Sequence, residues 1–425
     1  MTRTPERQSL TPTASEPAPS RVHVPRMPRP RWLTDDVMRG VRWGAILMWV
    51  VVFGGWVYQN GIPYWRSDLL LWLAAGLLAA SLGKRNILTV LIDFVPFAAV
   101  LVAYDHLRGI ADTLGMPTWW HPQIDIDKFL FFGTEPTVWL QEHLRDSTPR
   151  WYDAPVALCY ISFFFLPYVT AAVLWLRGRA QFYRWSLRFV TLSFLAFGFF
   201  ALIPAAPPWA AARCSAADVA DHPSAPSCMS SIGRFDGGLL GLMHHPMPGT
   251  SPWVQAGVST RGLGMLHLHF AQQVIDEGRN VSDAVAAIPS LHVGGVVLFS
   301  AFMWSRVRKW VRPLLVLYPL FMMFSLAYGG EHYVTDGIAG AICALAVHNG
   351  YNWLERRRDQ WGERRSEQRR QSRIPAADTL DRCPPTSPPP AMTPSSTSAS
   401  DGDSSFRPAT STVVPARPGI TDPSA

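Results

Sequence analysis

The sequence predicts an all-α membrane protein, a polytopic transmembrane helical bundle of about eight spans between disordered termini. Three observations point there. Of the 425 residues, 48% are hydrophobic and only 16% are charged. The apolar residues gather into eight stretches near or above the length that crosses a bilayer. Lys and Arg fall in alternate connections between those stretches, as cytoplasmic loops require.

The N-terminal segment, residues 1–38, is rich in Pro, Ser, Thr and Ala and cannot bury enough apolar surface to fold alone. No compact basic–apolar–cleavage pattern precedes residue 40, so no removable signal peptide is expected. The membrane domain, residues 39–353, carries spans at Val41–Tyr58, Leu69–Leu82, Ile87–Tyr104, Ala154–Leu176, Trp185–Ile203, Leu291–Trp304, Pro313–Tyr328 and Val334–Trp353. Two of these, Leu69–Leu82 and Leu291–Trp304, are short for a hydrocarbon core that needs about 20 residues. They are expected to tilt or to borrow flanking residues. Six spans is the alternative if the first two form a less regular entry. Residues 354–373 then form a basic juxtamembrane segment in which Arg alternates with Glu and Gln, suited to anionic headgroups. A disordered Pro/Ser/Thr-rich tail, residues 374–425, closes the chain.

Eight spans place Arg39 and Arg42, Lys84-Arg85, Arg177 to Arg184, Arg306 to Arg312 and Arg356-Arg357-Arg358 on one side. That side is the cytoplasm, and both termini share it. The long connections around residues 106–153 and 204–290 then face out. The net charge of +7 fits a membrane surface and calls for no nucleic acid.

Two short motifs carry chemistry. Ser290-Leu291-His292 opens the sixth span, and His332-Tyr333-Val334-Thr335-Asp336 opens the eighth. In the eight-span arrangement both lie on the outer face, level with Pro204–Trp209 at the end of the fifth span. His332 and Asp336 are four residues apart and share a helix face. A carboxylate one turn into the membrane is costly unless paired, and His332 is its nearest partner. The set supplies what covalent phosphoryl transfer needs. His332, oriented by Asp336, is a nucleophile. His292 serves as acid and base. Ser290 and the helix start offer donors to phosphate oxygens.

Those residues carry a resemblance. Pro289-Ser290-Leu291-His292 and His332-Tyr333-Val334-Thr335-Asp336 look like the second and third motifs of the type 2 phosphatidic acid phosphatase superfamily. The Leu of the first motif and the His-Tyr of the second resemble its inositol phosphorylceramide synthase-like branch. Pro204-Ala205-Ala206-Pro207-Pro208-Trp209 and Phe131–Gln141 resemble segments of bacterial members of that branch. The resemblance spans roughly residues 85–350. It implies a six-helix catalytic core, a phosphohistidine intermediate, and neither metal nor other cofactor. By the match His332 is the nucleophile, Asp336 its orienter, His292 the acid/base and Ser290 a phosphate contact. The chain departs from the superfamily in its cations. No Lys-x6-Arg-Pro run lies near Pro204–Trp209, and Leu326 stands where the third motif has Arg, one residue after Ser325. A transferring phosphoryl group needs cationic donors. Arg234, amid the apolar Ser231–Phe235, is the favoured substitute, ahead of Arg213, Arg261, Arg279 and Lys128.

Other features read more plainly. His222, His244-His245, His267 and His269 lack a recognisable ligand spacing. Asp125-x-Asp127 reads as a solvated helix start beside an aromatic run of interfacial character. Trp119-Trp120-His121 reads as an interfacial belt. Cys159 and Cys343 fall inside spans and Cys383 in the tail, while Cys214 and Cys228 share the second outer loop, where an oxidising face would let them bond. Asp93 in the third span needs a polar partner. The expected function is a lipid phosphatase or phosphotransferase in the cytoplasmic membrane, its site facing out. Its partners would be a lipid phosphate or phospholipid and, for transfer, an acceptor alcohol. The competing class is a non-enzymatic transporter or scaffold of similar topology.

Overall fold

A computed structural model describes residues 35–61, 63, 66–84, 87–108, 114–230, 236–268 and 285–371. Their regular elements are helices, with no strand among the described residues. Three helices lead in: α1 (Asp35–Asn60), α2 (Arg66–Ser81) and α3 (Ile87–Arg108). Two short ones follow on the connection, α4 (Pro122–Leu130) and α5 (Pro136–Leu144). The long pair α6 (Asp153–Arg177) and α7 (Arg179–Leu202) comes next, then the single turns α8 (Pro208–Ala211) and α9 (Gly262–Met265). The last three are α10 (Leu291–Met303), α11 (Arg312–Gly329) and α12 (Val334–Gln371).

Each of the eight expected spans is a helix. Five stretches, in α1, α3, α6, α7 and around α11, are long and apolar enough to cross a membrane. The other three explain themselves. α2 and α10 have only 16 and 13 residues. α12 is long, but Asp336, His348, Asn349 and Asn352 interrupt its apolar face. α10 does not need lipid-spanning length, because it buries Val293, Val296, Leu298 and Phe302 among its neighbours.

The main core joins α2, α3, α6, α7, α10 and α12 through Leu70, Phe94, Trp175, Trp185, Leu298 and Ala344. A second core, Tyr160 with Val293, Val296, Met322 and Leu326, ties α6, α10 and α11 together beneath the histidines. Two buried charges of the bundle are paired, which offsets their desolvation. Asp93 accepts hydrogen bonds from Trp175 Nε1 at 2.8 Å, Arg179 Nε at 2.6 Å and the Tyr183 hydroxyl. Arg188, 2% exposed, donates to Glu355 and Asn352 at 3.0 Å each and so fastens α7 to α12.

The chain divides into two units at Gln360–Trp361. The described part of the second unit is the exposed last turns of α12, whose arginines and glutamates face solvent.

Above the bundle, the connections form a cap with its own cores, one built on Trp120, Ala206 and Ala210, another on Ile124, Met243 and Tyr333. Cys214 and Cys228 are disulfide-bonded within it. Trp120 is fully buried and donates from Nε1 to Pro223 O at 3.0 Å, so this residue belongs to the cap's core and not to an interfacial belt. Burial within the cap is also stronger than the sequence suggests at α4. That helix buries Gln123 and Asp127, while Ile126, Phe129 and Leu130 are exposed, followed by Phe131 and Phe132. Ile124 is buried beside Gln123 and Asp127, so the inward face of α4 is mixed and both polar residues are enclosed by the cap. Asp127 is therefore not a solvated helix-start residue, although Asp125 is exposed.

Candidate active site

The turn that presents His332 is set by the end of α11. Gly330 adopts φ +73°, and its N–H reaches back to Ala327 O and Leu326 O. Glu331 N also donates to Leu326 O at 3.0 Å. This is a left-handed helix terminus of the kind glycine favours. The chain reverses there and α12 starts two residues after His332. Asp336, in the first turn of α12, is fully buried, and His332 is 9% exposed. His332 Nδ1 lies 3.5 Å from Asp336 Oδ2. That is long for a full hydrogen bond. Asp336 Oδ2 also accepts from Tyr333 N at 3.0 Å.

His292 arrives from α10. Ser290 caps that helix, its side chain accepting from Val293 N at 3.5 Å. His292 packs against Tyr160, Phe163 and Phe164, with ring centroids 5.4, 4.2 and 5.7 Å away. Its ring centroid is 5.4 Å from that of His332. The two histidines meet because α10 and α12 cross closely. Ser290 N donates to Asp336 O at 2.9 Å, and the crossing is lined by Gly294 and Gly340. Small residues at such a crossing let backbones approach.

Pro204–Trp209 joins the same place. Ala205 pairs with Ala286 on one side and Trp119 on the other, and Trp209 N donates to Gly330 O at 3.0 Å. The three segments singled out from the sequence therefore converge.

Among the described cationic candidates, Arg261 and Arg213 are engaged elsewhere. Arg234 and Arg279 lie outside the described residues, as does His269. Arg261 is occupied with Asp146 O at 2.8 Å and Asp153 at 3.9 Å. Arg213 stacks over Trp209 and donates to Met229 O at 2.8 Å. Leu326 is 1% exposed in the second core, so an apolar contact fills the position where a cation was sought. Among the described residues, no group of three His, Cys, Asp or Glu is arranged to hold a metal ion.

Sequence reasoning missed the acidic support behind the site. Asp127 Oδ2 accepts from Val334 N at 2.9 Å, and Oδ1 accepts from Thr335 N at 2.8 Å and from the Thr335 hydroxyl. Glu135 caps α5 by accepting from Val138 N at 2.7 Å. Arg145, 1% exposed, donates to Gln141 Oε1 and Trp253 O at 2.9 Å each. Gln141 Nε2 in turn donates to Tyr328 O at 3.0 Å, which pins the cap to the end of α11. The one available signal was Phe131–Gln141, which contains Glu135.

These observations have the company of a family match. A model described as PAP2 superfamily matches residues 123–349, over half of the chain. The chain belongs to the PAP2 superfamily. The matched region starts at α4, later than the residue 85 expected from the motifs, and takes in both histidines, Asp127 and Glu135. No curated protein and no solved structure matches the chain. Membership suggests a phosphatase or phosphotransferase, and the apolar helices place this PAP2 protein in a membrane.

Burial pushes the Glu135 carboxyl up to about 7, from an ordinary value of 4.5. A carboxyl whose pKa rises on folding binds its proton more tightly when folded. Its stabilising contribution is thus full below pH 4.5 and is lost as pH climbs through 7, a swing on the order of 3 kcal/mol. The thermal midpoint of the detergent-solubilised protein should fall over that range, and Glu135→Gln should flatten the fall. An identical slope in the variant would refute the assignment.

Proposed function

We propose that this PAP2 protein is a metal-independent lipid phosphatase or phosphotransferase that works through a phosphohistidine on His332, at the outer face of the cytoplasmic membrane. The observation that carries the reading is the meeting of His292 and His332 at 5.4 Å, with the Asp336 carboxylate 3.5 Å behind His332. With Nδ1 turned to Asp336, His332 attacks phosphorus through Nε2. A P–N bond forms and the P–O bond to the lipid breaks, while protonated His292 gives its proton to the departing oxygen. Neutral His292 then takes a proton from water or an alcohol, whose oxygen attacks phosphorus and releases His332. The Ser290 hydroxyl and the N-terminus of α10 hold phosphate oxygens, and Arg234 supplies positive charge. The branch resemblance of Pro289–His292 and His332–Asp336 favours transfer of an inositol phosphate or other headgroup phosphate to an acceptor alcohol.

The test is incubation of the purified protein with phosphatidic acid, polyprenyl phosphates and inositol phospholipids in detergent with chelator, followed by phosphate and lipid-product analysis. Free phosphate is the result for hydrolysis, and a new phospholipid without it the result for transfer. Folded protein that forms neither product would argue for the transporter or scaffold class.

A further inference from the structure

We infer that Asp127 is a positioning residue for the catalytic helix, holding the first turn of α12 so that Asp336 stands behind His332. The inference rests on the proposed roles of those two residues. Its geometry stands by itself. Three donors from the start of α12 converge on one carboxylate that comes from α4, 207 and 208 residues away in sequence. The first N–H groups of a helix have no partner within it. Here two of them, Val334 N and Thr335 N, donate to a distant acid with no solvent exposure. A buried carboxylate is retained against a desolvation cost of several kcal/mol per ion, and this one spends all its described hydrogen bonds on the helix that carries Asp336.

The same first turn holds three further contacts of the site. Tyr333 N donates to Asp336 Oδ2, Ser290 N donates to Asp336 O, and His332 Nδ1 faces Asp336. Any rotation of α12 about its axis would move all of them together. Asp127 sits where it resists that rotation, gripping two consecutive N–H groups and a side-chain hydroxyl. Its own placement comes from α4, which buries Gln123, Ile124 and Asp127 on one face and leaves Phe129 exposed. Burial raises the Asp127 carboxyl's affinity for a proton, and the three donors at the helix end oppose that rise. Asp127 touches no reacting atom in this arrangement and acts only through α12.

Three variants of the full-length protein test the assignment. Asp127→Asn keeps one oxygen acceptor but turns an NH2 donor toward the other helix N–H. Thr335→Val is nearly isosteric and removes only the hydroxyl donor. Thr335→Ser restores that donor. Amide hydrogen exchange over residues 333–337 needs no substrate. It should quicken by roughly ten- to thirtyfold in Asp127→Asn, the scale of a lost helix cap, less in Thr335→Val, and return toward wild type in Thr335→Ser. With phosphatidic acid in detergent micelles, kcat should fall about 10²-fold in Asp127→Asn, the cost of a misplaced catalytic group, while KM stays within about twofold. Exchange at 333–337 that is unchanged in folded Asp127→Asn and Thr335→Val would overturn the inference. So would active wild-type protein whose variants keep kcat and lose only KM or yield. A wild type inert toward phosphatidic acid would count against that substrate, while the exchange result would still decide the role of Asp127.

Discussion

Replacing His332 with alanine is expected to remove at least about 10³-fold of the lipid-phosphate turnover, because the proposed covalent intermediate forms on its ring. Losing the imidazole also leaves a fully buried carboxylate without its ring partner, at a cost of about 1–3 kcal/mol. His332→Gln separates the two effects. Its amide keeps a donor near Asp336, so this variant should unfold close to the wild-type temperature and remain inactive. His292→Ala should be milder, about 10²- to 10⁴-fold, the usual range for a lost acid/base. It should lose less with a substrate whose leaving group departs without protonation. Should His332→Gln retain turnover near the wild-type rate, the nucleophile is elsewhere.

A loss of about 10²-fold is expected at a residue that touches no substrate. A Cβ on Gly340 would lie 2.2 Å from Ser290 O, and a backbone oxygen cannot swing aside as a side-chain end can. Gly340→Ala therefore pushes α10 away from α12, stretches the Ser290–Asp336 backbone bond and separates the two histidines. Overpacking of this kind costs about 1–3 kcal/mol, and a displacement near 1 Å between catalytic groups costs about 10²-fold in rate. Gly337→Ala is the comparison. Its Cβ would meet Met323 Sδ at 2.1 Å, but a methionine side chain is flexible and can give way. Its effect on turnover should be at least tenfold smaller. Equal losses at both positions would mean that the α10–α12 crossing does not set the site.

The parts of this molecule that were legible in its sequence are those governed by local pattern. Each apolar stretch located a helix, five of them long and apolar enough to cross a membrane. The spacing of His332 and Asp336 announced that they would meet, although His332 stands before the first turn of α12 and not on its face. The pairing of Cys214 with Cys228 and the need of Asp93 for a partner could also be seen, though only the structure names Arg179, Tyr183 and Trp175 as that partner. What could not be seen depends on contacts between distant segments. Asp127 looks like a polar residue at the start of a helix beside an exposed aspartate, and nothing within its neighbourhood announces that residues 334 and 335 will fold onto it. Trp120 has the same difficulty, because an aromatic pair reads alike at a lipid interface and in the core of a cap. The number of spans was blurred by α10, whose surroundings within the bundle make short length sufficient.

The most direct measurement is to trap the covalent intermediate. The purified protein would be mixed briefly with lipid phosphate labelled in the phosphoryl group, quenched in base, and digested for peptide mapping. A phosphoramidate bond survives base and breaks in acid, unlike an acyl phosphate. The account predicts acid-labile, base-stable label on the peptide containing His332, absent from His332→Gln. Turnover without such label, or label that stays in His332→Gln, would contradict it.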